Sequence, residues 1–132
     1  MTPTEVVAAY RAVIELSKAV LPYKTARQVA ALNRALRAEH DTVVAAERAL
    51  AEEHGGVVSP MGSVDFPDAD SVETFNREHA AYMEQDADIR LPKVDVSKYT
   101  NLLRLSPETI CALDGIVTFE RDAQAEEAET NG

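Results

Sequence analysis

The sequence predicts a mainly α fold: a long helical hairpin, a small β-hairpin or short-strand patch, and two further helices packed on it. Three observations carry this expectation. Apolar residues recur at three- and four-residue steps from Val6 to Leu50, the period of an amphipathic helix. Pro22, Gly55-Gly56, Pro60 and Pro107 punctuate the chain at intervals that suit element boundaries. Aromatic residues make up only 5% of the chain and Trp is absent, so the core must come from Leu, Val, Ile and Ala, and abundant Ala suits helices.

The first helix is expected over about residues 3–20. Thr2 can cap it, Pro3 fits its first position and Glu5 completes a capping box. Val6, Val7, Tyr10, Val13, Ile14, Val20 and Leu21 follow at helical spacing. Pro22 lacks an N–H and restricts Leu21, so it ends or kinks this helix and suits the start of another.

The second helix is predicted over about residues 23–54, roughly 48 Å at 1.5 Å per residue. Val29, Leu32, Leu36, Val43, Ala46 and Leu50 form a heptad-like seam that only Glu39 interrupts. The first helix spans only roughly 27 Å on the same rise. In a hairpin the far part of the seam therefore needs cover from a later segment or a second subunit. Self-association through this seam is the expectation, with Glu39 fixing register.

Residues 57–67 read as a β-hairpin. Val57-Val58 and Val64-Asp65-Phe66 flank Ser59-Pro60-Met61-Gly62, which is turn chemistry. Asp70 and Glu73 then open a third helix with Val72, Phe75, His79 and Tyr82 on one face and Met83 beside them. Ile89, Leu91, Val94 and Val96 suggest a short strand or extended arm near 88–96. Ser106-Pro107 starts a fourth helix whose buried face would be Ile110, Leu113 and Val117, with Gly115 weakening it by about 1 kcal/mol relative to Ala. One domain over residues 1–120 and an acidic, aperiodic, disordered tail over 121–132 complete the expected organisation.

Formal net charge is −10, which disfavours general binding to phosphate backbones and anionic lipid. The charge is uneven. Residues 11–37 hold six Lys or Arg against one Glu, and residues 65–88 hold eight Asp or Glu against one Arg. Lys24, Arg27, Arg34 and Arg37 fall opposite the seam as a basic stripe. A solvated helix face accounts for such a stripe. Its sharper reading is contact with an acidic partner, residues 65–88 of a neighbouring copy among them. Nucleic acid is disfavoured, because no aromatics are expected to interleave with the stripe for base stacking.

No apolar run reaches the ~18 residues of a membrane span. The start of the chain lacks the basic and apolar regions of a signal peptide, and Cys111 stands alone. A reducing bacterial cytoplasm is the expected setting. Catalytic chemistry is not expected. His40, His54 and His79 each follow a Glu, but no pair has the spacing of zinc ligands, and His79 reads as a packed, hydrogen-bonded side chain. The run Asp65, Asp68, Asp70, Glu73 lacks calcium-loop spacing. Cys111 is expected to be a buried structural thiol. No cofactor or metal is expected.

Some segments in their order resemble a known group of proteins. Leu21-Pro22-Tyr23-Lys24-Thr25-Ala26-Arg27 enters a long charged helix ending near Glu53-His54-Gly55. Gly62-Ser63-Val64-Asp65-Phe66, Phe75-Asn76-Arg77-Glu78, Ile89-Arg90-Leu91 and Leu105-Ser106-Pro107-Glu108 follow. This order resembles small uncharacterised proteins of tailed bacteriophages and prophages, from about residue 4 to residue 119. The resemblance implies a context and no residue roles. The resulting expectation is a non-enzymatic protein acting through protein–protein interaction, as an assembly or accessory factor or a binder of a host protein. The alternative is a protein that binds or sequesters a nucleotide against host defence, in an interface pocket lined by Arg27, Arg34 or Arg37.

Overall fold

The structure, a computed structural model, describes residues 1–120. It is mainly helical, in the order α1 (Pro3–Leu16), α2 (Tyr23–Glu53), β1 (Val57–Val58), β2 (Val64–Asp65), α3 (Ala69–Met83), β3 (Val94–Asp95), a 3₁₀ turn (Thr100–Leu102), α4 (Pro107–Ala112) and β4 (Val117–Thr118). The expected acidic tail, 121–132, lies outside the described residues. No helix among the described residues is long and apolar enough to cross a membrane. The chain divides into two compact units, and α1 and α2 each contribute to both.

One unit comprises Met1–Val7 and Arg37–Ile89. The capping box of α1 forms reciprocally. The Glu5 N–H donates to Thr2 Oγ1 at 3.2 Å and the Thr2 N–H donates to Glu5 Oε1 at 3.1 Å, satisfying two otherwise orphaned donors. At the other end of the unit the Met1 ammonium bonds to the Asp86 carboxylate and to the Ala87 carbonyl. The hydrogen bond to the ammonium lowers the pKa of Asp86 and raises that of the amine.

The end of α2 turns at His54, Gly55 and Gly56, whose N–H groups donate back to Ala51 and Glu52 carbonyls. Gly56 allows a close approach: a Cβ there would sit 2.8 Å from both the Ala51 carbonyl oxygen and Val64 Cγ1. The strands β1 and β2 pair antiparallel with Val57 opposite Asp65 and Val58 opposite Val64, as the hairpin expectation required. Its loop is closed by Ser59 and Ser63, hydroxyl to hydroxyl at 2.7 Å and Ser59 N–H to Ser63 carbonyl at 2.8 Å.

The third helix starts earlier than expected. Asp68, in extended backbone geometry, is the cap, and its carboxylate accepts the Ser71 N–H at 2.7 Å. Asp70 already lies inside the first turn, where a carboxylate meets the positive helix end without capping it. Two histidine–carboxylate pairs then tie α3 to α2 and to the turn that follows it: His79–Glu47 at 2.7 Å and His54–Glu78 at 2.6 Å. The later part of α2 is thus covered within the chain. Val43 and Ala51 are buried, and Ala46 and Leu50 are half-buried.

The other unit comprises, among the described residues, Ala8–Leu36 and 90–120. Its core is Ala9, Ala12, Val13 and Leu16 of α1, Val29, Leu32 and Leu36 of α2, and Val94, Val96, Leu113 and Val117. Here α1 stops at Leu16 instead of reaching residue 20. Ser17 Oγ donates to the Val13 carbonyl at 2.7 Å, and the Lys18 and Ala19 N–H groups bond only three residues back, which tightens and ends the helix. Val20 and Leu21 therefore leave its apolar face.

Of the expected extended stretch near 88–96, only Val94–Asp95 is a strand. It pairs in parallel with β4, Val94 opposite Val117 and Asp95 opposite Thr118. Helix α4 is shorter than expected. Ser106 caps it as foreseen, accepting the Thr109 N–H at 3.2 Å, but it ends at Ala112. Gly115, at φ +81°, turns the chain into β4, a conformation that favours Gly. Ile110, Leu113 and Val117 thus share no helical face. Ile110 is exposed, Leu113 is buried just past the helix, and Val117 is buried in β4. Cys111 is exposed rather than buried, because a helix of six residues buries none of its side chains here.

Candidate functional site

The seam of α2 is internal packing. Val29, Leu32, Leu36 and Val43 are each no more than 4% exposed in the single chain, which leaves these four with no apolar area to give to a second copy. The seam accordingly reads as core, and the cover that its far end needed comes from α3.

The basic stripe is where the sequence placed it. Lys24, Arg27, Arg34 and Arg37 are all exposed. None pairs with a carboxylate among the described residues. The sequence reading nevertheless missed the aromatic that accompanies them. Tyr23 is 77% exposed, and the Arg27 guanidinium lies 5.8 Å from its ring centroid, a cation–π contact. Val20, freed by the early end of α1, is 89% exposed. Exposed apolar residues scattered singly need no explanation. Two within four positions, on either side of a proline and among Lys18, Lys24 and Arg27, form a mixed apolar and cationic tip.

Helix energetics do not account for the residues of this tip. The first turn of α2 contains no acidic residue, and Pro22 before it has no side-chain acceptor to cap the helix. Lys24 places a cation near the positive end of the helix dipole, where it is unfavourable. Such local departures from the rules of a stable fold concentrate at functional sites. Beside the tip lies a recess of about 340 Å³ lined by Leu21, Ala26, Ala30, Asn33 and Arg34 among others. Asn33 Nδ2 donates to Ser17 Oγ at 3.1 Å across it. Of the three arginines expected around a ligand pocket, Arg34 lines this recess and Arg27 and Arg37 do not.

His79 is the packed histidine the sequence indicated. It stacks on Phe75 at 5.3 Å between centroids, Phe75 in turn meets Phe66 at 5.1 Å, and Glu47 holds the imidazole. Burial, with the neighbouring Glu47 charge, raises the pKa of Tyr82 beside them. Asp68 is held below the usual aspartate value by the Ser71 N–H. No three His, Cys, Asp or Glu side chains among the described residues gather closely enough to hold a metal ion. A further cavity of about 740 Å³, lined by Lys93, Leu103, Leu105, Ile110, Ile116 and Phe119 among others, borders β4 and α4.

Compared with known protein families, curated proteins and solved structures, the chain matches none.

Proposed function

We propose that this chain is a non-enzymatic interaction protein of a phage or prophage, and that it engages an acidic protein surface through the tip formed by Val20, Tyr23, Lys24 and Arg27. The supporting observation is the combination found there: two highly exposed apolar side chains set among unpaired cations, in a chain whose net charge is −10. Tyr and Arg are among the residue types enriched at binding hot spots. Cations around Tyr23 steer an acidic partner and repel wrong ones. The remaining acidic surface disfavours nucleic acid as the target.

The test is site-specific photo-crosslinking in the producing bacterium. A photoreactive residue at position 23 is expected to capture a defined protein that the same residue at exposed Glu108 does not capture. Lys24→Glu with Arg27→Glu should remove the product. Identical products at the two positions, or capture indifferent to the charge reversals, would sink the reading.

The nucleotide-binding alternative rests on one observation, Arg34 at the rim of the 340 Å³ recess. It predicts a melting temperature that rises with nucleotide concentration and a loss of that rise in Arg34→Ala.

A further inference from the structure

We infer that the partner of the cationic tip is a second copy of this chain, which presents its β1–β2 hairpin to it. This rests on the reading of the tip given above and goes further by naming the occupant.

The hairpin complements the tip in its pairing of exposed apolar side chains with opposite charge. At its turn Met61 is 95% exposed, and Val57 on β1 is 70% exposed. Val57 stands directly opposite Asp65 in the register, so both side chains rise from the same face of the ribbon. One apolar and one anionic group are thereby presented together. The ribbon continues into the acidic stretch, in which Asp65, Asp70 and Glu73 are exposed and engaged in no ion pair among the described residues. The Ser59–Ser63 hydrogen bonds hold the turn, so Met61 is displayed on an ordered loop.

The receiving surface has matching parts. The recess of about 340 Å³ offers apolar lining from Leu21, Ala26 and Ala30 with room for a side chain, and Met is a flexible thioether that fills irregular apolar gaps. Arg34 lines that recess, and exposed Lys24 and Arg27 belong to the tip beside it. Exposed Met61 and the Val57–Asp65 face of the ribbon meet a tip that combines an apolar recess with Lys24, Arg27 and Arg34. Like faces repel: tip against tip and hairpin against hairpin both bring equal charges together. The contact is therefore between two different patches, and two copies joined by one such contact leave one tip and one hairpin unused. Such heterologous association continues until a ring closes or a filament grows, which suits an assembly role.

The experiment measures absolute mass by light scattering on a sizing column, across protein concentrations and at low and high salt, with the full chain. Wild type is expected to be larger than a monomer at low salt and to shift toward monomer as salt screens the charges. Met61→Gln should weaken association without affecting the fold, since that side chain is almost wholly in solvent. Lys24→Glu with Arg27→Glu, and separately Asp65→Lys with Glu73→Lys, should each weaken it by at least about tenfold. Mixing the two reversed variants should restore it, because each reversed patch then faces its complement on the other variant.

A wild type that stays monomeric throughout, or whose association ignores the reversals, overturns the inference. The two readings fail separately. A monomer whose crosslinked product at position 23 still depends on Lys24 and Arg27 removes only the second copy as partner. A product indifferent to those residues removes the tip itself.

Discussion

His79 and Glu47 are separated by 32 residues in sequence, yet the imidazole Nε2 and a carboxylate oxygen are 2.7 Å apart. The pair is half-buried against the Phe66–Phe75 contact, and it fixes the rotation of α3 on the later part of α2. A double-mutant cycle with His79→Ala and Glu47→Ala should give a coupling energy of about 0.2–1 kcal/mol, the range for partly exposed pairs. Hydrogen exchange should show the loss of protection concentrated in residues 69–83. Strictly additive single mutants would mean that the contact contributes nothing to holding α3.

The seam of α2 makes a sharper demand. Leu32 and Leu36 are fully buried, so Leu32→Ala should cost about 2–5 kcal/mol. Arg34→Ala, two residues away on the exposed side, should fall within about 0.5 kcal/mol. Leu36→Asp should prevent folding, because it buries a charge without a partner. Denaturant titration of the three variants gives the order.

The cap of α3 has a signed pH dependence. The Ser71 N–H stabilises the Asp68 carboxylate and lowers its pKa in the folded chain. A depressed folded value adds stability that is fully present above the unfolded aspartate pKa and is lost as pH falls through the folded value. Asp68→Asn can still cap but does not titrate there. Its melting temperature should therefore fall less steeply than that of wild type on the acid side, as followed by circular dichroism.

Lys24→Glu separates stability from function. Exchanging a cation for an anion in the first turn of α2 should raise stability by about 0.3–1 kcal/mol through the helix dipole. The same change should weaken capture at position 23. A variant that loses both stability and capture would show that Lys24 supports the fold instead.

Cys111 should react with a thiol-specific reagent in native buffer at a rate close to that of the unfolded chain, because its side chain is exposed. Reaction only after denaturant is added would contradict the observed geometry of α4.

The long helix α2, the capping box of α1, the Ser106 cap and the β1–β2 hairpin were all legible, since each is written locally: a sustained apolar period, a cap three residues from its reciprocal partner, turn residues between two short apolar runs. Other features had no local signal. Strand β3 fell inside the extended stretch expected near 88–96, but its pairing with β4 spans more than twenty intervening positions and β4 was read as part of a helix, so no periodicity announces the pairing. The basic stripe was visible as a row of charges, but the exposure of Val20 beside it depends on α1 stopping at Leu16, which the Ser17 hydroxyl and two three-residue hydrogen bonds bring about.

By itself the sequence determined where the main helices run, which face of α2 is apolar, and that cations and carboxylates fall in separate stretches, because period, capping and charge are properties of neighbours along the chain. Only the tertiary structure decided that the apolar seam is consumed as core while Tyr23 and Met61 stay outside, because burial is settled by which distant segments reach a surface first, and α3 covers the far end of α2 while no described residue covers the tip or the hairpin turn.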